Sequence, residues 1–266
     1  MASGSADDGG GGRFAIDGQG FVAPPLDRGL YIVATPIGHL ADVTIRALRT
    51  LAAADIVACE DTRVTRVLLD RYGMKRSMFT YHEHNGAEQR PKLLAALAEG
   101  RRVALVSDAG TPLLSDPGYR LVREAAEAGH AVFPIPGASA LLAGLVTAGL
   151  PTDAFFFAGF LPPKETGRRK RLGELATVPG TLIFYESPHR VGDALADMAA
   201  VLGDRPAAVA RELTKAFETI RRGPLSALAT SFAETPTKGE IVVLVGPPLA
   251  APPDAESVDA LLLRLL

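Results

Sequence analysis

Residues Arg101 to Pro112 read RRVALVSDAGTP, and the character of the chain changes halfway through them. Val103, Ala104, Leu105 and Val106 form a short apolar run, as expected of a strand covered on both faces in a mostly parallel sheet. Ser107-Asp108-Ala109-Gly110-Thr111-Pro112 then supplies small and turn-forming residues. Gly110 permits backbone angles and a close ligand approach that a Cβ would prevent. Such a loop is either an ordinary strand-to-helix turn or part of a binding site, because open α/β sheets bind ligands at the carboxyl ends of their strands.

The same alternation recurs on both sides. Leu30 to Ala34 reads as a strand ending in Thr35-Pro36-Ile37-Gly38-His39, and a helix follows, capped by Asp42 or Thr44, with Ile45, Leu48 and Leu51 at helical spacing. Ile56 to Cys59 is a strand ending in Glu60-Asp61-Thr62-Arg63. The segment 79–89 reads as loop before a helix from Pro91 to Ala98. Asp116-Pro117-Gly118 opens a helix, and strand Ala131 to Ile135 runs into Pro136-Gly137-Ala138-Ser139-Ala140. Repeated strand–helix units predict a parallel α/β layer structure.

From Leu150 the pattern restarts with the apolar strand Phe155 to Phe160, the basic segment LPPKETGRRKRL and a helix. Strands at Thr181 to Tyr185, Ala207 to Ala210 and Ile241 to Val245, at hairpin-like spacing, predict a mixed α/β domain. The expected organisation is a disordered or extended tail over 1–28 and an α/β domain over 29–149. A mixed α/β domain over 150–247 and a Pro-rich, then helical tail over 248–266 complete it.

Composition excludes several classes. With 47% hydrophobic and 22% charged residues the chain is a globular protein, not a disordered one. A net charge of −2 gives no global nucleic-acid signature, so any RNA contact needs a local basic patch. The single cysteine, Cys59, excludes an intrachain disulfide framework and fits a reducing cytoplasm. No apolar run is long enough to span a bilayer, and the Gly-rich acidic start lacks the apolar core of a secretion signal. A cytoplasmic protein with no membrane partner is expected.

Familiar site motifs are missing. The sequence holds no G-x-x-x-x-G-K-[ST] phosphate loop and no strand-borne G-x-G-x-x-G. His82 and His84 flank Glu83 in a loop, a weak pattern for a metal, and no metal is expected. The small-residue loops offer backbone groups and close approach without titrating chemistry, which suits a cofactor. The charged loop residues Glu60, Asp61, Arg63, Glu186, His189, Arg190, Arg211, Glu212, Lys215 and Glu218 can position substrate, move protons or simply form ion pairs.

Taken in order, ATPIGHL, CEDTR, SDAGTP, PGASA, FYESPHR, RELTK-x-FE and KGE closely resemble the ribosomal RNA small subunit methyltransferase I family. That family belongs to the tetrapyrrole methylase-like (class III) S-adenosyl-L-methionine-dependent methyltransferases. The match runs from about Gly29 to Val245. His39 stands where the family more often has Asn, and the family usually carries a further helical segment after the last strand, whereas this sequence stops at Leu266.

The resemblance implies two α/β domains with the cofactor in the cleft between them, a homodimer, and 2′-O-methylation of a cytidine of 16S ribosomal RNA in the decoding region. It places S-adenosylmethionine on Pro36, Ile37, Asp108, Ala109, Gly110, Thr111, Ser139 and Ala140, completed by Tyr185, Ala210 and Lys238. Holding two reactants in line can supply about 7–11 kcal/mol of the barrier. A 2′-hydroxyl is a poor nucleophile, and a base or polarising cation adds about 10²–10⁴-fold. Glu60, His189 and Lys215 are the candidates for that catalytic role. RNA phosphates would meet Arg63, Arg190 and the run Arg168, Arg169, Lys170 and Arg171, extended by Lys164, Arg221 and Arg222; the alternative for such a run is a solvated helix face. Two rival functions share these features: a small-molecule methylase of a tetrapyrrole or corrin ring, and a non-catalytic RNA-binding protein that keeps the small-residue loops.

Overall fold

The structure is a computed structural model, and it describes residues 12–234 and 237–249. The chain divides into two compact units, Met1–Ala143 with Leu213–Ala216, and Gly144–Glu212 with Phe217–Leu266. The division falls at 143/144, a few residues before the expected boundary, and the short segment Leu213–Ala216 groups with the first unit.

The first unit opens with a hairpin, β1 (Arg13–Ile16) and β2 (Gln19–Val22), which pair antiparallel. A disordered or extended tail was the expectation here, and over these residues it is corrected. Asp17 and Gly18 both have positive φ (47° and 84°), as a two-residue primed turn demands. An isolated two-stranded hairpin is marginal. This one is held by Phe14, which is buried in the first unit's core, and by Ala15 donating to the Tyr72 carbonyl at 2.8 Å. Residues 1–11 and 250–266, most of the two expected tails, lie outside the described residues.

The hairpin is followed by β3 (Gly29–Val33), α1 (Ile45–Ala53), β4 (Ile56–Cys59), α2 (Thr62–Arg71) and β5 (Met78–Thr80). Then come α3 (Gly86–Ala98), β6 (Arg102–Val106), α4 (Tyr119–Glu127), β7 (Val132–Ile135) and α5 (Ala140–Ala148). β3 to β7 form one parallel sheet in the order β5-β4-β6-β3-β7. β3 and β6 are almost wholly buried, as their continuous apolar runs require. Thr44, not Asp42, caps α1, its hydroxyl accepting from the Ala47 N–H at 3.1 Å. α1 turns Leu48 and Leu51 into the core but leaves Ile45 exposed.

Two further differences concern β5 and α3. The first two residues of the segment 79–89, expected as loop, join Met78 in a three-residue edge strand along β4. α3 begins at Gly86, upstream of Pro91, although a proline normally stands in the first turn. Tertiary contacts hold that extra turn: Gly86 packs on the Tyr81 ring, and Arg90 pairs with Glu124 of α4 at 2.9 Å.

The second unit contains β8 (Phe155–Phe160), α6 (Glu165–Leu175), β9 (Thr181–Glu186), α7 (Val191–Leu202), β10 (Pro206–Arg211), β11 (Thr219–Pro224), α8 (Leu225–Glu234) and β12 (Ile241–Val245). Its sheet, β11-β10-β12-β9-β8, is mixed: β8 and β9 run parallel and the other pairs antiparallel. Leu172, Leu195, Met198, Leu225 and Leu228 of the helices pack with Leu182, Phe184, Val209 and Val243 of the strands in one core. The fold class is the expected one. No helix among the described residues is long and apolar enough to cross a membrane.

Candidate active site

The order β5-β4-β6-β3-β7 contains a reversal. From β3 the chain moves to β4 on one side, and from β6 it moves to β7 on the other. The crevice at the carboxyl ends of β3 and β6 is therefore a topological switch point, where open α/β sheets bind ligands. The loops TPIGH and SDAGTP leave these two strands.

Hydrogen bonds stitch the loops together. Thr35 and Gly110 exchange both backbone bonds, at 2.9 and 3.0 Å. The Thr35 hydroxyl donates to the Ser107 carbonyl at 3.1 Å, and the Ser107 hydroxyl to the Gly110 carbonyl at 3.0 Å. Asp61, after β4, gives its N–H to Asp108 Oδ1 at 3.0 Å, and Thr111 donates to the Ala138 carbonyl, after β7, at 3.2 Å. Four loops expected from sequence to carry the site thus form one connected rim in the first unit. Gly110 has φ +81°, and a Cβ there would meet Ile37 Cγ2 at 3.2 Å. Pro36, Ile37 and Ser139 are buried beneath the rim, and Ala140 starts α5.

This rim carries crowded acids. Burial raises the Glu60 carboxyl, and the neighbouring Asp108 raises it further. Burial also raises Asp108, against the Asp61 N–H that stabilises its anion. Asp61 is the opposite case, held down at about 2 by its hydrogen bonds with Arg63. Asp116, which sequence reading took only as part of a helix start, is pushed up to about 6 by burial, then by Glu60 and Asp108. Its helix starts later, at Tyr119, after Gly118 at φ +131°. Leu113 and Ser115 also have positive φ, so the loop doubles back where non-glycine residues rarely do. The DPG triplet, expected to open the helix, instead lies in the loop before it, and the proximity of Asp116 to Glu60 needed the fold.

A carboxyl whose folded pKa exceeds its unfolded value destabilises the fold as pH rises between the two. Asp116→Asn is therefore expected to be more stable than the parent at neutral pH. Its stability should also fall less between about pH 4, near the ordinary 3.8, and about 6. Urea midpoints across that range check this, and a neutral-pH midpoint no higher than the parent's would refute it.

His39 donates its N–H to Thr214 Oγ1 at 3.1 Å, and its Nδ1 accepts from the Ala41 N–H at 3.3 Å, the capping an asparagine oxygen would also perform. Lys215 lies close by: its Cγ stands 2.5 Å from where a Gly38 Cβ would be. Glu60 and Lys215 therefore belong to one unit, whereas His189 is exposed in the other. His82 Nδ1 accepts from the Asn85 N–H, and no group of three potential metal ligands occurs among the described residues.

In the second unit, Tyr185, next to last in β9, has its ring edge-on to Phe157 and Phe160, at centroid distances of 4.9 and 5.7 Å. The bulge in β8 shifts the register so that Phe160 pairs with Tyr185 and shares its face. Glu186 is fully buried, its carboxyl raised by burial, and takes Arg190 at 3.3 Å. Arg190 also donates to the carbonyls of Leu161 and Pro162, so it clamps two loops. Ala210 lies buried in β10, and the Lys238 carbonyl accepts from Arg211 at 3.2 Å. Gly239, at φ +92°, leaves the space that the Glu212 carboxylate fills while it accepts from the Glu240 N–H at 3.0 Å. RELTK and KGE are thereby locked together, a role sequence reading missed.

The basic helix requires a correction. Arg168 is buried and forms a 2.6 Å pair with buried Asp197. It shares a helix face with Leu172 and Leu175, three to four residues apart, and that face packs inward. Arg169 pairs with Asp197 and Glu165, and Arg171 with Glu174. Burial takes Arg168 out of any RNA-facing surface. Lys164 and Lys170 stay exposed, with no carboxylate paired to them among the described residues. Arg63 is 89% exposed but engaged by Asp61 at 2.6 Å. Arg222 donates to the carbonyls of Thr147 and Ala148.

Residues 29–229 match the family model of tetrapyrrole (corrin/porphyrin) methylases. A Mesorhizobium japonicum protein named ribosomal RNA small subunit methyltransferase I is 61% identical over 245 residues, 91% of this chain and 83% of that protein. The chain belongs to the ribosomal RNA small subunit methyltransferase I family. Another member, from Escherichia coli O157:H7, is 52% identical over 219 residues, covering 81% of this chain and 77% of its own. A solved cobalt precorrin-4 methyltransferase of cobalamin biosynthesis has a TM-score of 0.59 at 19% identity, covering 82% of this chain and 94% of that one. That likeness shows the shared methylase fold of the family.

Proposed function

We infer that this chain is an S-adenosylmethionine-dependent methyltransferase of small-subunit ribosomal RNA, and we propose the 2′-hydroxyl of a cytidine in 16S RNA as its acceptor. Identity of 50–61% across most of the chain to proteins named for that activity carries the reading. Expected with it are a homodimer and a cytoplasmic location.

The rim fits the cofactor chemically. Its carboxyls Glu60, Asp108 and Asp116 favour a cationic guest, and Gly110 keeps the backbone open to close approach. When bound, S-adenosylmethionine supplies an activated methyl on a sulfonium sulfur. Pro36, Ile37, Asp108 to Thr111, Ser139 and Ala140 are proposed to hold it, and the resemblance adds Tyr185, Ala210 and Lys238. In-line displacement needs the ribose oxygen fixed opposite the leaving sulfur, so positioning does much of the work. Glu60, whose carboxyl burial and Asp108 raise above the ordinary carboxylate range, is proposed to take the hydroxyl proton at its carboxylate; Lys215 and His189 are the other candidates. Arg63, Arg169, Lys170 and Arg171 remain proposed phosphate contacts.

The test is methyl transfer from labelled S-adenosylmethionine to unmodified small ribosomal subunits, with free 16S RNA beside them. Label recovered in a ribose-methylated cytidine is the expected result. Label in the base, or none despite cofactor binding, would overturn the acceptor assignment.

A further inference from the structure

The rim described above occupies the carboxyl ends of the first unit's strands. The opposite, amino-terminal edge carries a second set of charges with no part in that chemistry. Along this edge the neighbouring strands begin in the order β5, β4, β6, β3. Lys75 and Arg76 precede β5, Arg101 precedes β6 and Arg102 begins it, and Arg28 precedes β3. At about 4.8 Å between strands this row is about 15 Å long.

Two cavities flank it. One, of about 370 Å³, is lined by Arg28, Arg101 and Arg102 together with Leu26, Asp55 and Gly100. The other, of about 430 Å³, is lined by Arg66, Lys75 and Arg76 together with apolar residues and Asp70. Arg102 takes both oxygens of Asp55, at 2.9 and 2.6 Å, and Arg101 pairs with Glu99. Among the described residues no carboxylate pairs with Arg28, Arg66, Lys75 or Arg76, and Arg76 Nε is buried without a hydrogen-bond partner. Arg28 lies across Gly100, at φ +80°, in the space a side chain would take. The carboxyl ends of α1, α2 and α3 also point to this edge and offset about half a charge each. They leave the unpartnered Arg76 nitrogen and the two cation-lined cavities unexplained. In a chain of net charge −2, this concentration of cations stands out.

We propose that the amino-terminal edge of the first unit's sheet, around Arg28, Arg66 and Lys75, docks the phosphate backbone of the ribosomal RNA substrate. The proposal rests on the substrate reading given above. A five-residue strand separates this edge from the rim, about 17 Å at 3.3 Å per residue. One small acceptor cannot reach both; a folded RNA can. Phosphate contacts here would set the orientation of the enzyme on the RNA and carry no sequence information.

The test is the triple variant Arg28→Ala, Arg66→Ala, Lys75→Ala in the full chain. All three residues are exposed and unpaired among the described residues, so the fold is expected to survive, as thermal melting would verify. Binding to small ribosomal subunits and to oligouridine is measured over a range of salt. Three lost contacts at about 0.7 each should make the slope of log affinity against log salt shallower by about 2. At low salt, affinity should fall about tenfold or more. The melting shift produced by S-adenosylmethionine should not change. Wild-type affinity and slope in the variant would overturn the proposal. Methylation of subunits by the parent chain is assayed in parallel. Failure there strikes the substrate reading, while the oligouridine slopes still decide whether this edge holds phosphates.

Discussion

Replacing Asp197 by alanine is expected to cost about 3–5 kcal/mol of stability, because it leaves the buried guanidinium of Arg168 without its counter-charge. Asp197 accepts from Arg168 at Oδ2 and from Arg169 at Oδ1, each at 2.6 Å, and the Arg168 and Asp197 side chains are 6% and 5% exposed. Removing one partner of such a pair strands the other in a medium that solvates it poorly. Removing both need not be harmful. The double variant Arg168→Leu, Asp197→Leu should recover most of the loss, since well-packed apolar residues often replace a buried pair at little cost. Urea denaturation of the parent, both single variants and the double variant measures the coupling. Single variants within about 1 kcal/mol of the parent would show the pair to be solvated, and Arg168 would return to the basic surface.

Gly110→Val is expected to abolish cofactor binding while the chain remains folded. The substitution places a β-branched side chain at φ +81° and drives its Cβ towards Ile37 Cγ2 and the Ala138 carbonyl. Holding that backbone costs about 1–3 kcal/mol. The alternative, a relaxed loop, breaks the paired Thr35–Gly110 bonds that join the TPIGH and SDAGTP loops. Either way the proposed cofactor rim changes shape. A ligand at a hundred times its dissociation constant adds about 2.7 kcal/mol to the stability of the form that binds it. The parent should therefore show a clear rise in melting temperature with S-adenosylmethionine, and the variant none. A variant with the parent's shift would remove Gly110 from the cofactor site, and circular dichroism separates lost binding from lost fold.

Much of the molecule was legible in the chain. Continuous apolar runs at Leu30 to Val33 and Val103 to Val106 suit strands buried on both faces, as β3 and β6 are, and the small residues after them suit turns. Order and type of most elements follow from such local periodicity. The Asp17-Gly18 hairpin was legible too, since both residues favour the positive φ their turn needs, but the tail's composition concealed it. Arg168 was expected on a basic surface, and its spacing to Leu172 and Leu175 is the local signal that ran against that expectation.

Other features depended on the fold. The partner of Arg168, Asp197, lies in a different helix, and no local pattern connects the two. The raised acids come from two loops, Glu60 after β4 and Asp108 and Asp116 after β6, and Asp116 is raised by burial and then by the other two, which only the fold brings near it. The row of cations beginning β5, β6 and β3 is scattered over the sequence and becomes a row only because the strands order themselves β5-β4-β6-β3. Sequence determines what each short segment does with its own backbone and apolar face, because those energies are set within a few residues. Charge interactions depend on distance and burial instead, and only the tertiary structure decides those.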